Sequence, residues 1–572
     1  MQTSGTTEDS APATRLVQWF ACRPYLSLTL LVLLALGPFV TRPLNIDDPL
    51  FVWSAKQIAK HPADPFGFNV NWFGSASPMY RATKNPPLTC YYLAGAGVTL
   101  GWSEIALHTA MLLPTIAAVL GTYRLARRLC PRPGLAAVAT LFSPVFLVSS
   151  ATLMCDTMML AFWLWATVLW LEGLELNNHV QLLAAGILIG LATLSKYFGA
   201  SLIPLLFVYT LVRRRKLGLW AACLLIPLAM VGAYEAAAYA KYGVGLFNEA
   251  GWFAADVLHE AGPPRLASTL ITLGFIGGCL AFMTFLTPFV WPWRTQLIFA
   301  ACTVVMIASV FADGRLLDSY SYLNRAYVPW LGFQMAFWTV GGMGVLGLVL
   351  LEIQHDRTPD AWLLCLWVVG TSVFTMFCNW TVNGRSIQPL APAVAMLLAR
   401  RWDVLVPSGR RRTSARAALV LGAVMGWFCV RADFNLASAV RLSAQSAFDY
   451  CRQYSGHTYV AAHWGFQYYM ENLGAKPYDL RHLDFEPDDS VVHPFNNDNT
   501  TFGFAQEVHL ATVLVEPGPG FLTASDKSIG AGFYSSFLGP VPFAIGLVPS
   551  EHVYVYRMGP APSTPPQPTP SP

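Results

Sequence analysis

The chain is built of long apolar runs separated by short polar stretches, and that pattern leaves it little choice of solvent. The runs lie near 25–44, 104–123, 135–153, 157–174, 180–197, 199–212, 218–240, 266–290, 295–312, 327–351, 361–378, 386–399 and 415–431. A helix that crosses a bilayer needs roughly 20 mostly apolar residues. Of the 572 residues, 55% are hydrophobic and 12% charged, whereas an ordinary soluble domain carries about 25% charge. So little charge cannot cover a soluble surface of this size. A soluble enzyme, a disordered chain and a coiled coil are excluded. The expected fold is an α-helical polytopic membrane protein of about thirteen transmembrane helices, spanning 25–431. A shorter apolar stretch, 88–101, reads as interfacial or re-entrant.

The scarce charge is unevenly placed. Residues 1–431 hold 30 basic and 19 acidic residues, a net of +11; residues 432–572 hold 6 and 13, a net of −7. The strongest basic clusters are Arg124/Arg127/Arg128/Arg132, Arg213-Arg214-Arg215-Lys216, and Arg400/Arg401 with Arg410-Arg411-Arg412. With residues 1–24 in the cytoplasm, all three fall on the inner side, as the positive-inside rule requires. The odd number of spans then places 432–558 outside, as a small extracytoplasmic α/β domain. Its strand-like runs are Tyr459–Trp464, Val508–Val515 and Val553–Tyr556, with a helix-like stretch at Gly465–Asn472. The half-proline tail 559–572 reads as disordered. The first apolar run reads as an uncleaved signal anchor, and the setting as a cytoplasmic (inner) membrane. The eleven cysteines are scattered, most within apolar runs, and show no paired zinc spacing. Basic residues are not interleaved with aromatics on a soluble face, so no nucleic-acid partner is expected.

In this topology the unusual polar residues share the outer side. The loop 45–103 opens with Asn45-Ile46-Asp47-Asp48-Pro49, continues with an amphipathic stretch, Leu50–His61, suited to a helix lying on the membrane surface, and ends with Arg81-Ala82-Thr83-Lys84-Asn85-Pro86-Pro87 and Tyr91-Tyr92. Asp156 lies between two spans, Lys196 ends another, and Arg385 opens a late one in Asn383-Gly384-Arg385-Ser386. Plainer readings stand beside these: solvated acids after a span, a helix N-cap at Asp156, and snorkelling by Lys196 and Arg385. Ionisable residues at membrane edges are nonetheless costly and often functional. Cations here would hold the phosphate of a lipid, and a carboxylate can take a proton from an acceptor hydroxyl. No phosphate loop of the nucleotide-binding kind is present. The set describes sugar transfer from a lipid phosphate.

This ordered set resembles the GT-C fold glycosyltransferases, in particular the protein O-mannosyltransferase-like and lipid A aminoarabinose transferase family, over roughly residues 25–400. The resemblance implies a polyprenyl-phosphate-linked sugar donor, contact with membrane lipids, and a lipid, glycan or protein acceptor outside the cytoplasmic membrane. By position, Asp47 matches the family's catalytic acid with Asp48 beside it, Asp156 its second acidic position, and Lys84, Lys196 and Arg385 its donor-phosphate contacts. The aminoarabinose transferases carry a glutamate just before the lysine; this chain has Thr83 there, which removes the basis of that metal site. His259 and Glu260 are left as candidates for a divalent metal, and no other cofactor is implied. Two other classes compete. A secondary transporter predicts internal repeats and deep ionisable residues, with Glu172 and Glu235 in its favour. A non-catalytic lipid-binding or assembly protein predicts no turnover.

Overall fold

Residues 22–261, 265–312, 314, 318–482, 484–498, 508–516 and 520–559 are described by the computed structural model. The N-terminal segment before residue 22 and the proline-rich tail from residue 560 lie outside the described residues. Apolar sequence with well-placed caps produces helices. Ser103 caps Glu104–Leu129 by accepting from Ala106 N, Asn178 caps His179–Ser195, and Thr358 caps Pro359–Phe377. Each of the thirteen apolar runs falls on a helix or a bent helix pair. Among the described residues, seven of these helices are long and apolar enough to cross a membrane, or up to nine spans if each bent pair counts as one. The Leu390–Leu405 helix is buried on nearly all sides and forms the centre of the bundle. The Arg265–Cys279 and Ala281–Val290 helices meet at 99°. Gly277 and Gly342 let the first of them touch the backbone of Val328–His355, where any Cβ would overlap a carbonyl.

The basic clusters converge on one end of the bundle. Arg124 pairs with Glu172 at 2.6 Å, and Arg128 and Arg213 with Glu175. Arg132 and Arg412 share Asp403, while Arg400 and Arg401 share the fully buried Glu352. Glu172 and Glu175 end the Asp156–Leu176 helix, which Asp156 begins. Sixteen helical residues rise about 24 Å, so Asp156 and the basic end are separated by most of a hydrocarbon core.

The loop after the first helix (Pro24–Leu36) differs from expectation. The Asp48–Lys60 helix does not rest on lipid: Leu50, Phe51, Val52, Ala55 and Ile58 are buried in protein. Its neighbours are the Leu88–Leu100 and Trp464–Leu473 helices. The amphipathic pattern was real, but protein supplies the apolar partner.

The Arg410–Cys451 helix has 42 residues, about 63 Å, and passes uninterrupted through the boundary expected at 431/432. It carries a five-stranded sheet in the order Lys476–Pro477, Thr458–Val460, Ser490–Pro494, Glu551–Met558, Val508–Glu516. The first three strands are parallel and the last two pairings antiparallel. Between the last two strands in sequence, 520–548 leaves the sheet and packs on the helix ends. Ala524, Ile529, Phe533, Val541 and Phe543 join the core of the bundle. Gly384 N donates to Phe533 O at 2.7 Å, Ser536 N to Val382 O at 2.7 Å, and Tyr327 Oη to Ile545 O at 2.7 Å.

Candidate active-site cavity

Away from the basic end, a cavity of about 620 Å³ is lined by helix ends, by the first loop and by the C-terminal part of the chain. Five of the residues singled out from the sequence meet in it: Asp47, Lys84, Asp156, Lys196 and Arg385.

They form two close ion pairs and a looser one. Arg385 Nη2 donates to Asp47 Oδ2 at 3.0 Å, across 338 positions of sequence. Lys196 Nζ donates to Asp156 Oδ1 at 2.5 Å. Asp156 is 1% exposed and its Oδ2 has no partner among the described residues; the same holds for Arg385 Nε. Lys84 Nζ lies 3.6 Å from Glu249 and over the ring of Phe253. Burial lowers the Lys84 ammonium from its ordinary value, with Glu249 opposing. Burial raises the Asp47 carboxyl above the usual carboxylate range, with Arg385 opposing.

Local backbone explains how these groups arrive. Lys196 is the extended residue that ends the His179–Ser195 helix. Arg385 rides on the short Gly384–Ile387 helix, which Asn383 caps through Ser386 N at 2.8 Å. Asp47 immediately precedes the Asp48–Lys60 helix. Ile46, with φ 51, and Trp464, with φ 58, both hold left-handed backbone beside the cavity. Such positions cost about 1–3 kcal/mol in non-glycine residues and persist where the surroundings over-determine them. Here Gly465 packs on the backbone of Leu44 and Asn45, pressing the two strained turns together.

The adjacent acids have opposite fates. Asp48 is fully buried, does not line the cavity, and binds Arg42 at 2.7 Å. His259 is exposed and also lies off the cavity lining, and the side chain of Glu260 lies outside the described residues. Among the described residues no group of three His, Cys, Asp or Glu side chains could hold a metal ion. The two cavity carboxylates from the helical part are each held by a cation instead, so the residues present do not fit a metal centre. Glu172 and Glu235 have structural roles: Glu172 pairs with Arg124, and Glu235 accepts from Phe247 N and Asn248 N at the start of the Leu246–Ala261 helix.

Sequence reasoning missed the C-terminal contribution. His463, Trp464, Asp498 and Lys527 line the cavity opposite no recognisable motif. His463 packs against Trp72 in a tilted contact with centroids 4.0 Å apart, and burial pushes its imidazole down to about 3, which keeps it neutral. Lys527 Nζ donates to Asp498 O at 2.7 Å. An acidic domain with aromatic residues near a loop rich in Trp and Phe was the only available signal.

A family model described as dolichyl-phosphate-mannose-protein mannosyltransferase matches residues 84–234. No curated protein matches the sequence. Among solved structures, the archaeal oligosaccharyltransferase AglB from Archaeoglobus fulgidus aligns at 12% identity and TM-score 0.44, covering 81% of this chain. The chain spans 65% of that protein's length. ArnT from Cupriavidus metallidurans aligns at 15% identity and TM-score 0.42, covering 84% of this chain and 93% of ArnT. The arabinofuranosyltransferase AftD from Mycobacteria aligns at 12% identity and TM-score 0.39, covering 96% of this chain and 40% of AftD. The chain has helices long and apolar enough to cross a membrane and, over a segment holding Lys84, Asp156 and Lys196, is similar to the family described as dolichyl-phosphate-mannose-protein mannosyltransferase.

Proposed function

We propose that the protein is a membrane glycosyltransferase that moves a sugar from a polyprenyl-phosphate donor to a hydroxyl acceptor at the outer face of the cytoplasmic membrane. The observation that carries this reading is the convergence of Asp47, Asp156, Lys84, Lys196 and Arg385, from distant parts of the chain, on one cavity. The family description over 84–234 supports a lipid-phosphate donor. Side assignment follows from charge. The Asp156–Leu176 helix has the cavity at its start and the paired basic clusters at its end. Arginine-rich ends face the cytoplasm, which supports a reading with residues 1–24 inside, and the cavity and the 432–558 region outside.

In the reaction, the acceptor oxygen attacks the anomeric carbon and the bond from that carbon to the phosphate oxygen breaks. The phosphate keeps the bonding pair and leaves as polyprenyl phosphate, while the acceptor proton passes to Asp47. A carboxylate raised by burial is a better base near neutral pH than an ordinary one. Lys84, Lys196 and Arg385 meet the negative charge growing on the leaving phosphate. Asp156 holds Lys196 in place for that task. Of the adjacent acids, only Asp47 faces the cavity, so the base is assigned to Asp47 and not to Asp48.

The test is a donor panel. Purified full-length protein is incubated with a series of polyprenyl-phosphate sugars, and release of polyprenyl phosphate is scored. Release from at least one donor is expected. Release from none would return the protein to the lipid-binding or transport classes.

A further inference from the structure

Beneath the cavity lies a second charge cluster that touches no part of it. Arg42, Asp48 and Asp433 are all fully buried. Arg42 Nε donates to Asp433 Oδ2 and Nη1 to Asp48 Oδ2, both at 2.7 Å. Tyr534 Oη donates to Asp433 Oδ1 at 2.7 Å and accepts from Arg42 Nη2 at 3.3 Å. Asp48 also accepts from Asn45 N at 3.1 Å and from Leu153 N at 2.8 Å. Two carboxylates around one guanidinium in a dry interior stand only because every oxygen of Asp48 and Asp433 has a donor.

Each ionic group of the cavity's two tight pairs, Lys196 apart, is within three residues of this cluster's contacts. Asp47 adjoins Asp48. Asp156 follows Leu153, whose amide Asp48 holds. Arg385 adjoins Gly384, whose amide is held by the carbonyl of Phe533, the neighbour of Tyr534. The cluster thus ties the first loop, the start of the Asp156–Leu176 helix, the Gly384–Ile387 turn and the 520–548 segment to one another.

We infer that Arg42, Asp48, Asp433 and Tyr534 form a positioning relay that sets Asp47, Asp156 and Arg385 in register, so that the 520–548 segment is part of the transfer machinery and not only a docking platform. The kinetic part of this inference rests on the glycosyltransferase reading. Tyr534 acts through Asp433 and Arg42 and touches no substrate. Removing its hydroxyl strips one donor from Asp433 and one contact from Arg42 without changing charge or ring packing.

The experiment uses full-length Tyr534→Phe protein with two readouts. In the release assay, kcat falls about 10–100-fold, the scale of a small misplacement of reacting groups, while the donor KM stays within about twofold. Labelling of Asp47 by a water-soluble carbodiimide, read by mass spectrometry against the exposed Asp449, rises at least about threefold as the Asp47–Arg385 pair loosens. Val515→Ala, exposed on the Val508–Glu516 strand outside that segment, changes neither. Unchanged kcat and unchanged labelling in Tyr534→Phe would overturn the relay, as would a kcat loss matched by loss of folded protein. If wild-type protein releases nothing from any donor but the labelling responds, the glycosyltransferase reading fails and the relay stands.

Discussion

Arg385→Met is the most informative single change, because it acts on two terms that can be read separately. The guanidinium contacts Asp47 at 3.0 Å and is 11% exposed, so its charge acts with little solvent screening. Under the proposed mechanism it is one of three cations facing the leaving phosphate. Loss of one preorganised donor to charge that develops in the transition state costs about 2.7–4 kcal/mol, or about 10²–10³ in kcat. The second term concerns the base. Burial raises the Asp47 carboxyl and Arg385 draws it back down; without Arg385 it moves further up. A general base works only when deprotonated, so the acidic limb of kcat/KM shifts to higher pH and the deficit of the variant shrinks as pH rises. Arg385→Lys keeps the charge but loses the planar fork, and its rate falls between the two. The assay is release of polyprenyl phosphate over the acid to mildly alkaline range. An Arg385→Met rate within tenfold of wild type, or an acidic limb that stays fixed or moves to lower pH, would refute the reasoning.

Asp47→Asn should abolish transfer, by release assay, while membrane insertion and detergent-extracted yield stay normal. Lys196→Met leaves Asp156 nearly inaccessible without its partner; thermal unfolding in detergent should show a loss of about 3–5 kcal/mol, partly recovered by adding Asp156→Asn. In the sheet, burial pushes the Glu551 carboxyl up to about 7. The native state then holds a proton that the unfolded chain has released, so this contribution to stability is full at low pH and is lost as pH rises from about 4.5 to about 7, by roughly 3 kcal/mol. Glu551→Gln should flatten that slope in Tm measured against pH.

The scarcity of charge made much of the cavity legible. In a chain this apolar, Asp47, Lys84, Asp156, Lys196 and Arg385 stood out against their neighbours, and four separate segments of the chain bring them to one cavity. Asp47 and Asp48 could not be told apart, because the choice depends on the left-handed turn at Ile46 and on Arg42, neither of which has a sequence signal. Arg42 sits at the end of the first apolar run and Asp433 just past the last, and nothing in the sequence singles out either. Their partner, Tyr534, is about a hundred residues beyond Asp433 in a stretch without strong periodicity. At the boundary expected at 431/432 apolar content falls while helical continuity does not, so the Arg410–Cys451 helix runs through it. The thirteen apolar runs were visible, yet composition alone did not reveal that a helix such as Asp48–Lys60 would find protein in place of lipid.

The contact between Arg42 and Tyr534 joins residues 492 positions apart. It sets an order on biogenesis. Most helices can enter the bilayer as they are made, since each meets its backbone hydrogen bonds within itself. The site cannot: Arg42 and Asp48 are made early, Asp433 only with the last long helix, and the buried charge among them is incompletely compensated until residue 534 has been synthesised and folded back. Closing so long a loop is slow relative to local helix formation. The nascent protein is therefore fully inserted before it is competent, and a chain arrested in that interval would display an open, charged seam to quality control.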